Sequence, residues 1–265
     1  MKMKTSQSTK KMTNIDKLEL LQSTAHNKDF VLMSCGPSIN EISEEKIIDF
    51  CCDKIVCCVK QSILKFKDIC DIHFYNDCNL IPYEYSNHKN TFTCASGHPD
   101  TFRKATKELN EINIRNFGGT LATMRKPDIF FNVEVYTGMK NTTASLNNFE
   151  DIELEKGLKN CRPCGPGIMH ETVFPLLTFL RPKKIYTLGW DLAPRNTGSK
   201  TLEHFYPSDY RKTFVNPGHP TFEDEMPYLL DSSKLLNNYL KSKGIELIVL
   251  SKQSYVSKEI KRLQI

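Results

Sequence analysis

The chain has 265 residues, 39% of them hydrophobic and 25% charged, enough to bury a full core as one large domain or two unequal lobes. Its formal net charge of +5 comes from scattered lysines with no basic stripe interleaved with aromatics, so no nucleic-acid partner is expected. No stretch offers the roughly eighteen apolar residues of a membrane span, and the opening MKMKTSQSTKKMTN lacks the apolar core of an export signal, so a cytoplasmic protein is expected.

In chain order, residues 1–27 are polar and Lys-rich and read as an N-terminal tail or a surface helix over 15–21, leaving 28–265 as the domain proper. Apolar or β-branched runs at 30–33, 54–59, 72–75, 91–94, 184–188 and 246–250 predict short buried strands. Between them, Ile42, Ile47, Ile48 and Phe50 have helical spacing, as do Leu229, Leu230, Leu235, Leu236, Tyr239 and Leu240. This alternation predicts an α/β, Rossmann-like fold with a mostly parallel sheet flanked by helices. The last unit is the clearest: a helix over 223–243 with Pro227 near its start, a left-handed stop at Gly244, then the strand IELIVLS. Polar stretches at 135–160 and 194–220 predict long loops, the second a flexible lid.

Ten cysteines in a chain of this length, without an export signal, read as reduced and mostly buried thiols. Cys161-Arg162-Pro163-Cys164 has CxxC spacing, but a zinc site needs a second pair. Cys51, Cys52, Cys57 and Cys58 straddle an apolar run instead of forming a knuckle, so no metal site is predicted.

In VLMSCGPSIN an apolar run stops at Cys35-Gly36-Pro37-Ser38. Open parallel sheets bind ligands beyond the carboxyl ends of their strands, among backbone amides and helix N-termini. There Gly36 would let a ligand approach the backbone, Pro37 would fix the turn and Ser38 would offer a hydroxyl; an ordinary strand-to-helix turn explains the same residues equally well. No Gly-Lys-Ser/Thr follows and the three-glycine dinucleotide fingerprint is missing, which argues against a P-loop kinase and a standard NAD enzyme. Three other predicted strand ends are polar: Val59-Lys60-Gln61-Ser62, Phe74-Tyr75-Asn76-Asp77 and Leu188-Gly189-Trp190-Asp191. Convergence of all four on one crevice is expected, with Trp190 in the core.

The order GPSI, a polar strand end, HFYND, CRPCGPG opening a helix, KKIYTLGWD and a Gly-His in a loop resembles the bacterial lipooligosaccharide sialyltransferases of glycosyltransferase family 42 over residues 30–260. It also looks like the broader 6-hydroxymethylpterin pyrophosphokinase-like group, which shares the GPS turn and the strand before Asp191. The first resemblance implies an enzyme moving sialic acid from CMP-sialic acid, or a related CMP-sugar, to a glycan hydroxyl by inverting displacement. The family's Gly-Asn-Gly-Pro-Ser turn around the donor nucleotide falls on Ser34-Cys35-Gly36-Pro37-Ser38, with Cys35 in place of Asn. Its second-strand Asn falls on Lys60 and Gln61, and the Asn of its Phe-Tyr-Asn motif on Asn76. Its Arg-x-x-Ser-Gly segment falls on Arg162-Pro163-Cys164-Gly165-Pro166-Gly167. The serine is missing, but the amides of Gly165 and Gly167 at the head of a helix from Ile168 suit an anion; a tight packing loop is the alternative. Its Ser-Gly-Ile-Asp strand end falls on Gly189 and Asp191, placing an acid near the nucleotide; a turn cap is the alternative.

For catalysis, the resemblance implies His219 of Gly218-His219 as the base that takes the acceptor proton, a task suited to imidazole near neutral pH. His204 in the same loop competes for that role. Of the family's two tyrosines at the leaving phosphate, one position is Ala193 here. The other falls on Tyr206, with Tyr210 as a further phenol and Arg195, Lys200 or Arg211 as charge. No Asp-x-Asp motif is present, and the resemblance implies no metal or other cofactor, a glycan or glycolipid acceptor, and a homo-oligomer. The basic N-terminus suits either peripheral association with a membrane or a solvated end. A pyrophosphokinase-like enzyme would instead need ATP and magnesium, and the missing Asn, Ser and Tyr positions also fit a non-catalytic nucleotide- or glycan-binding module.

Overall fold

The structure, a computed structural model, describes residues 14–76, 91–97, 128–134, 162–163, 168–192, 205 and 222–265. Its strands are β1 (Asp29–Met33), β2 (Ile55–Val59), β3 (Ile72–Asn76), β4 (Phe92–Gly97), β5 (Ile129–Glu134), β6 (Arg162–Pro163), β7 (Lys184–Leu188), β8 (Glu246–Val249) and β9 (Lys261–Arg262). The helices are α1 (Asn14–Ala25), α2 (Glu44–Cys51), α3 (Ile63–Phe66), α4 (Phe174–Leu180) and α5 (Phe222–Ser242). Described strands run in the order β6-β5-β4-β3-β2-β1-β7-β8-β9, every pair parallel. This is the expected α/β, Rossmann-like architecture.

Strands β1 (DFVLM) and β2 (IVCCV) each bury four successive residues because helices cover both faces of the sheet. Alternation of side chains sorts them into two cores. On one face Phe30, Leu32, Cys57 and Val59 pack with Leu18 and Leu21 of α1, Phe174 and Leu180 of α4, and Leu236 and Leu240 of α5. On the other, Val31, Met33, Val56 and Cys58 pack with Ile47 and Cys51 of α2 and Ile63 and Phe66 of α3. From β1 the sheet grows through β2 and β3 in one direction, with α2 and α3 on one face. From β7 to β8 it grows in the other, with α5 on the opposite face, as right-handed crossovers demand. The direction therefore reverses between β1 and β7, the switch point where sheets of this kind bind ligands.

Six strands and the final helix appear where the sequence predicts them, and Gly244 ends α5 in the left-handed region (φ 76°). Two expectations need correction. Of the two readings of 1–27, the helix is the one observed, as α1, but it is a core element instead of a surface one: Leu18, Leu21 and Ala25 recur at one-turn spacing and are buried in the first core. Gln22 Nε2 also donates to the Phe179 carbonyl at 2.5 Å, tying α1 to α4. Residues 1–13 lie outside the described residues. The other is the strand set: β5 and the two-residue β6 and β9 went unpredicted, although the β5 backbone pairs with β4 from Ile129 opposite Cys94 to Asn132 opposite Gly97.

Seven described cysteines are free, and all but Cys52 are buried. Burial, reinforced by neighbouring Cys58, pushes the Cys51 thiol up to about 12. Burial likewise drives Cys57, Cys58 and Cys94 well above the ordinary thiol value. Cys161 and Cys164 lie outside the described residues. Among the described residues no helix is long and apolar enough to cross a membrane.

Two outcomes follow from this packing. Leu21→Ala should lower stability by about 2–5 kcal/mol in urea unfolding; an unchanged midpoint would mean that α1 is not part of the cooperative core. A brief iodoacetamide pulse at mildly alkaline pH should modify Cys52 and spare Cys51, Cys57, Cys58 and Cys94 until denaturant is added, as read by peptide mapping.

Candidate functional site

Strands β1 and β7 end together, Met33 opposite Leu188, and leave the sheet side by side. Their ladder continues past the strands: Ser34 N–H donates to the Leu188 carbonyl at 2.8 Å and Gly36 N–H to the Gly189 carbonyl at 2.7 Å. Pro37 then opens a 3-10 turn, Pro37–Glu41, at a position where its fixed φ and missing N–H cost nothing. Within that turn Ser38 meets Asp191. Its N–H donates to Asp191 Oδ2 at 2.7 Å and its hydroxyl donates to Oδ1 at 2.6 Å, while Gly189 N–H donates back to Ser38 Oγ at 3.0 Å. Both side chains are buried, so the carboxylate's desolvation is offset by two charge-assisted hydrogen bonds.

This clasp explains two glycines. A Cβ on Gly36 would land on Asp191 Oδ2 and within 2.6 Å of the Gly189 carbonyl oxygen. Gly189 sits at φ 75°, where a Cβ would also meet the Ser34 carbonyl oxygen at 2.7 Å. Behind the clasp, Tyr255 N–H donates to the Asp191 carbonyl and Ser254 Oγ to the Trp190 carbonyl, both at 2.7 Å. Trp190 packs its ring 5.0 Å from Phe174, in the core as expected.

The end of β2 forms the adjoining wall. Ser62 Oγ accepts the Val59 N–H and donates to the Met33 carbonyl, both at 2.8 Å, tying the turn to β1. From the other side His73 Nε2 lies 2.8 Å from the Lys60 carbonyl, so that nitrogen carries the proton. Lys60 is held at φ 51° and Leu192, just after Asp191, at φ 53°. Left-handed backbone costs such residues about 1–2 kcal/mol each, and both sit at strand ends that face the switch point. Cys35 Sγ donates to the Val59 carbonyl at 3.2 Å and lies 3.7 Å from Gln61 Oε1.

Two more segments reach this place. A π-helical turn, Met169–Val173, leads into α4, and Met169 Sδ lies 3.9 Å from Ser34 Oγ. Phe205 donates its N–H to the Cys35 carbonyl at 2.9 Å and accepts from Asn40 Nδ2 at 3.2 Å. Lys65 Nζ in turn donates to Asn40 Oδ1 at 3.2 Å, which fixes the orientation of that amide. At the far end of the 3-10 turn, burial first and then the charge of Asp191 raise the carboxyl pKa of Glu41, opposed by Lys252.

The structure thus brings together Cys35, Gly36, Pro37, Ser38, Lys60, Gln61, Gly189 and Asp191. Asp191 caps the GPS turn, with both carboxylate oxygens on Ser38. Asn76 closes β3, two strand positions from β1. Arg162 is not brought to this place: its backbone is on β6, five positions from β1, or about 24 Å at ordinary strand spacing. Gly165, Gly167, Tyr206, Tyr210, His204 and His219 lie outside the described residues, as does the lid at 194–220 apart from Phe205. Ser62 belongs to the polar strand end Val59-Lys60-Gln61-Ser62 expected here, whereas roles for Asn40, His73 and Phe205 were not anticipated; Asn40 closes the stretch VLMSCGPSIN.

No family model and no curated protein matches the chain. Among solved structures it is similar to the sialyltransferase CstII from Campylobacter jejuni in complex with cytidine-5'-monophosphate, at 15% identity and TM-score 0.43 over 88% of this chain and 85% of that one. The same enzyme with CMP-3FNeuAc matches at 15% identity and TM-score 0.40, over 87% and 84% of the two chains. A mutant of alpha-2,3/8-sialyltransferase CstII matches at 17% identity and TM-score 0.41, over 87% and 86%.

Ser38→Ala and Asp191→Asn should each lower stability by about 1.5–3 kcal/mol, and the double variant should lose less than the sum because both remove one interaction. Additive losses in urea unfolding would mean that the two residues do not act as a pair.

Proposed function

We propose that this chain is a CMP-sugar-dependent glycosyltransferase, a sialyltransferase that moves sialic acid from CMP-sialic acid to a hydroxyl of a glycan or glycolipid. One observation carries the reading: the GPS turn and the Gly189-Trp190-Asp191 strand end, the two motifs that the resemblance assigns to the donor nucleotide, are clasped together at the switch point of the sheet. Asp191 then works as a positioning residue, holding the turn whose backbone borders the nucleotide.

In the proposed reaction the acceptor oxygen attacks the anomeric carbon, and the bond to CMP breaks with its electron pair leaving on the phosphate. His219 takes the acceptor proton. The phenols of Tyr206 and Tyr210 donate to the leaving phosphate, and the amides of Gly165 and Gly167 receive negative charge from the donor. Tyr206 is the match to the family's second tyrosine, with Tyr210 as the further phenol. Neutralisation of the leaving group by protein donors makes a divalent cation unnecessary in this scheme.

Thermal shift with CMP, CMP-sialic acid, UDP, and ATP with magnesium tests the reading. CMP and CMP-sialic acid should stabilise the protein; stabilisation by ATP with magnesium alone would overturn the proposal in favour of a pyrophosphokinase-like activity. His219→Ala should retain CMP binding and lose transfer by about 100-fold or more, and near-normal turnover in that variant would remove His219 from the mechanism.

A further inference from the structure

Arg262 stands half-buried on β9, three strand positions from β1. Burial holds its guanidinium below the ordinary arginine pKa, and no carboxylate among the described residues pairs with it. Its Nη1 is enclosed with no acceptor among those residues. A cation kept on such terms costs stability, so its remaining contacts need another explanation. Nη2 donates to two carbonyls, that of Ser254 at 3.2 Å and that of Val256 at 3.1 Å, and so brackets Tyr255 in the loop that follows β8.

The Ser254 carbonyl and the Tyr255 N–H belong to one trans peptide and point in opposite directions. Arg262 takes the carbonyl on the β9 side, and on the β7 side the N–H donates to the Asp191 carbonyl at 2.7 Å. A charged donor at one end polarises the peptide and strengthens the donor at the other. From the same loop Ser254 Oγ holds the Trp190 carbonyl, also at 2.7 Å. The two peptides that flank the Asp191 Cα are therefore both fixed, which aims its carboxylate at Ser38 and keeps Leu192 in its left-handed conformation. The loop does not need Arg262 for its place, because Val256 and Ile260 lie in the first core and Ser257 N–H donates to Ser233 Oγ on α5 at 2.9 Å. What the guanidinium adds is the orientation of one peptide. We infer that Arg262 is a positioning residue for the nucleotide crevice, acting through the Ser254–Tyr255 peptide on the turn that carries Asp191. This inference rests on the nucleotide reading of the crevice and extends it to a residue outside the clasp.

Arg262→Met keeps much of the apolar stem and removes the guanidinium. In the ligand-free protein, amide hydrogen exchange should accelerate about tenfold at Tyr255 and stay near wild type at Leu250, whose N–H continues the β7–β8 ladder to the Thr187 carbonyl. The Kd for CMP by calorimetry should rise about tenfold in Arg262→Met and about twofold or less in Arg262→Lys, which keeps the charge and a donor. Leu21→Ala, destabilised on α1, should bind CMP as the wild type does, which separates positioning from a general loss of stability. Unchanged exchange at Tyr255, unchanged CMP affinity in Arg262→Met, or an equal loss of affinity in Arg262→Lys or Leu21→Ala overturns the inference. Where Arg262→Met does not fold, Arg262→Gln is measured against the same criteria. Should the wild type bind ATP with magnesium instead of CMP, and Arg262→Met weaken that binding, Arg262 keeps its role while the CMP-sugar reading falls. A wild type that binds neither nucleotide overturns both.

Discussion

The contact between Ser38 and Asp191 is the constraint on which the crevice depends. A carboxylate this deeply buried would be costly if its oxygens lacked donors, and the Ser38 N–H and hydroxyl supply one each. The Gly189 N–H completes the hydroxyl's coordination, and Tyr255 N–H fixes the carbonyl of the same aspartate. Three segments remote in sequence thereby share one small polar knot within an otherwise apolar sheet. Its tightness excludes any side chain at positions 36 and 189, which leaves the backbone of both turns bare toward the end of the sheet.

Around this knot the crevice divides into walls of different character. The β1–β7 wall is an extension of the parallel ladder, rigid because its hydrogen bonds continue past Met33 and Leu188. The β2 wall is a strained turn strapped from both sides, with its one buried amide turned toward Cys35. The Lys65–Asn40–Phe205–Cys35 relay joins a third element by polar contacts, and the half-buried Phe205 also packs against the second core. A ligand in this place meets preorganised backbone on two sides, the arrangement that reduces the ordering cost of binding.

What could be read beforehand was whatever depends on local pattern. β1, β2 and β7 are continuous apolar runs because both their faces are covered, and Gly244 marks the end of α5 because only glycine takes that conformation freely. The Gly-Pro-Ser turn also announced itself as an abrupt stop after an apolar run. Features that depend on distant partners were not legible. Helix α1 could be read as a tail or a surface helix, and its place in the core was hidden because Leu18, Leu21 and Ala25 are its sole described core positions amid polar neighbours. β5 was missed because a short Ile-Phe-Phe run passing at once into polar residues resembles neither a long buried strand nor a clean alternation. Asp191 could be read as a ligand or as a cap, and only the structure shows both its carboxylate oxygens on Ser38. Gln61 gave no sign that its amide would be enclosed.

Ser38 and Asp191 are separated by 153 residues, and the strands that carry them are neighbours at the middle of the sheet. One side of β1 can thus be completed early in synthesis by β2, whereas the other side waits for β7. Until residues 184–188 have left the ribosome, the central strand of the finished protein is an open edge, rich in apolar side chains and lined with unpaired amides and carbonyls. The crevice therefore comes into existence only once β7 has emerged, and a chain interrupted anywhere before β7 carries the first half of the site with an adhesive edge in place of the second.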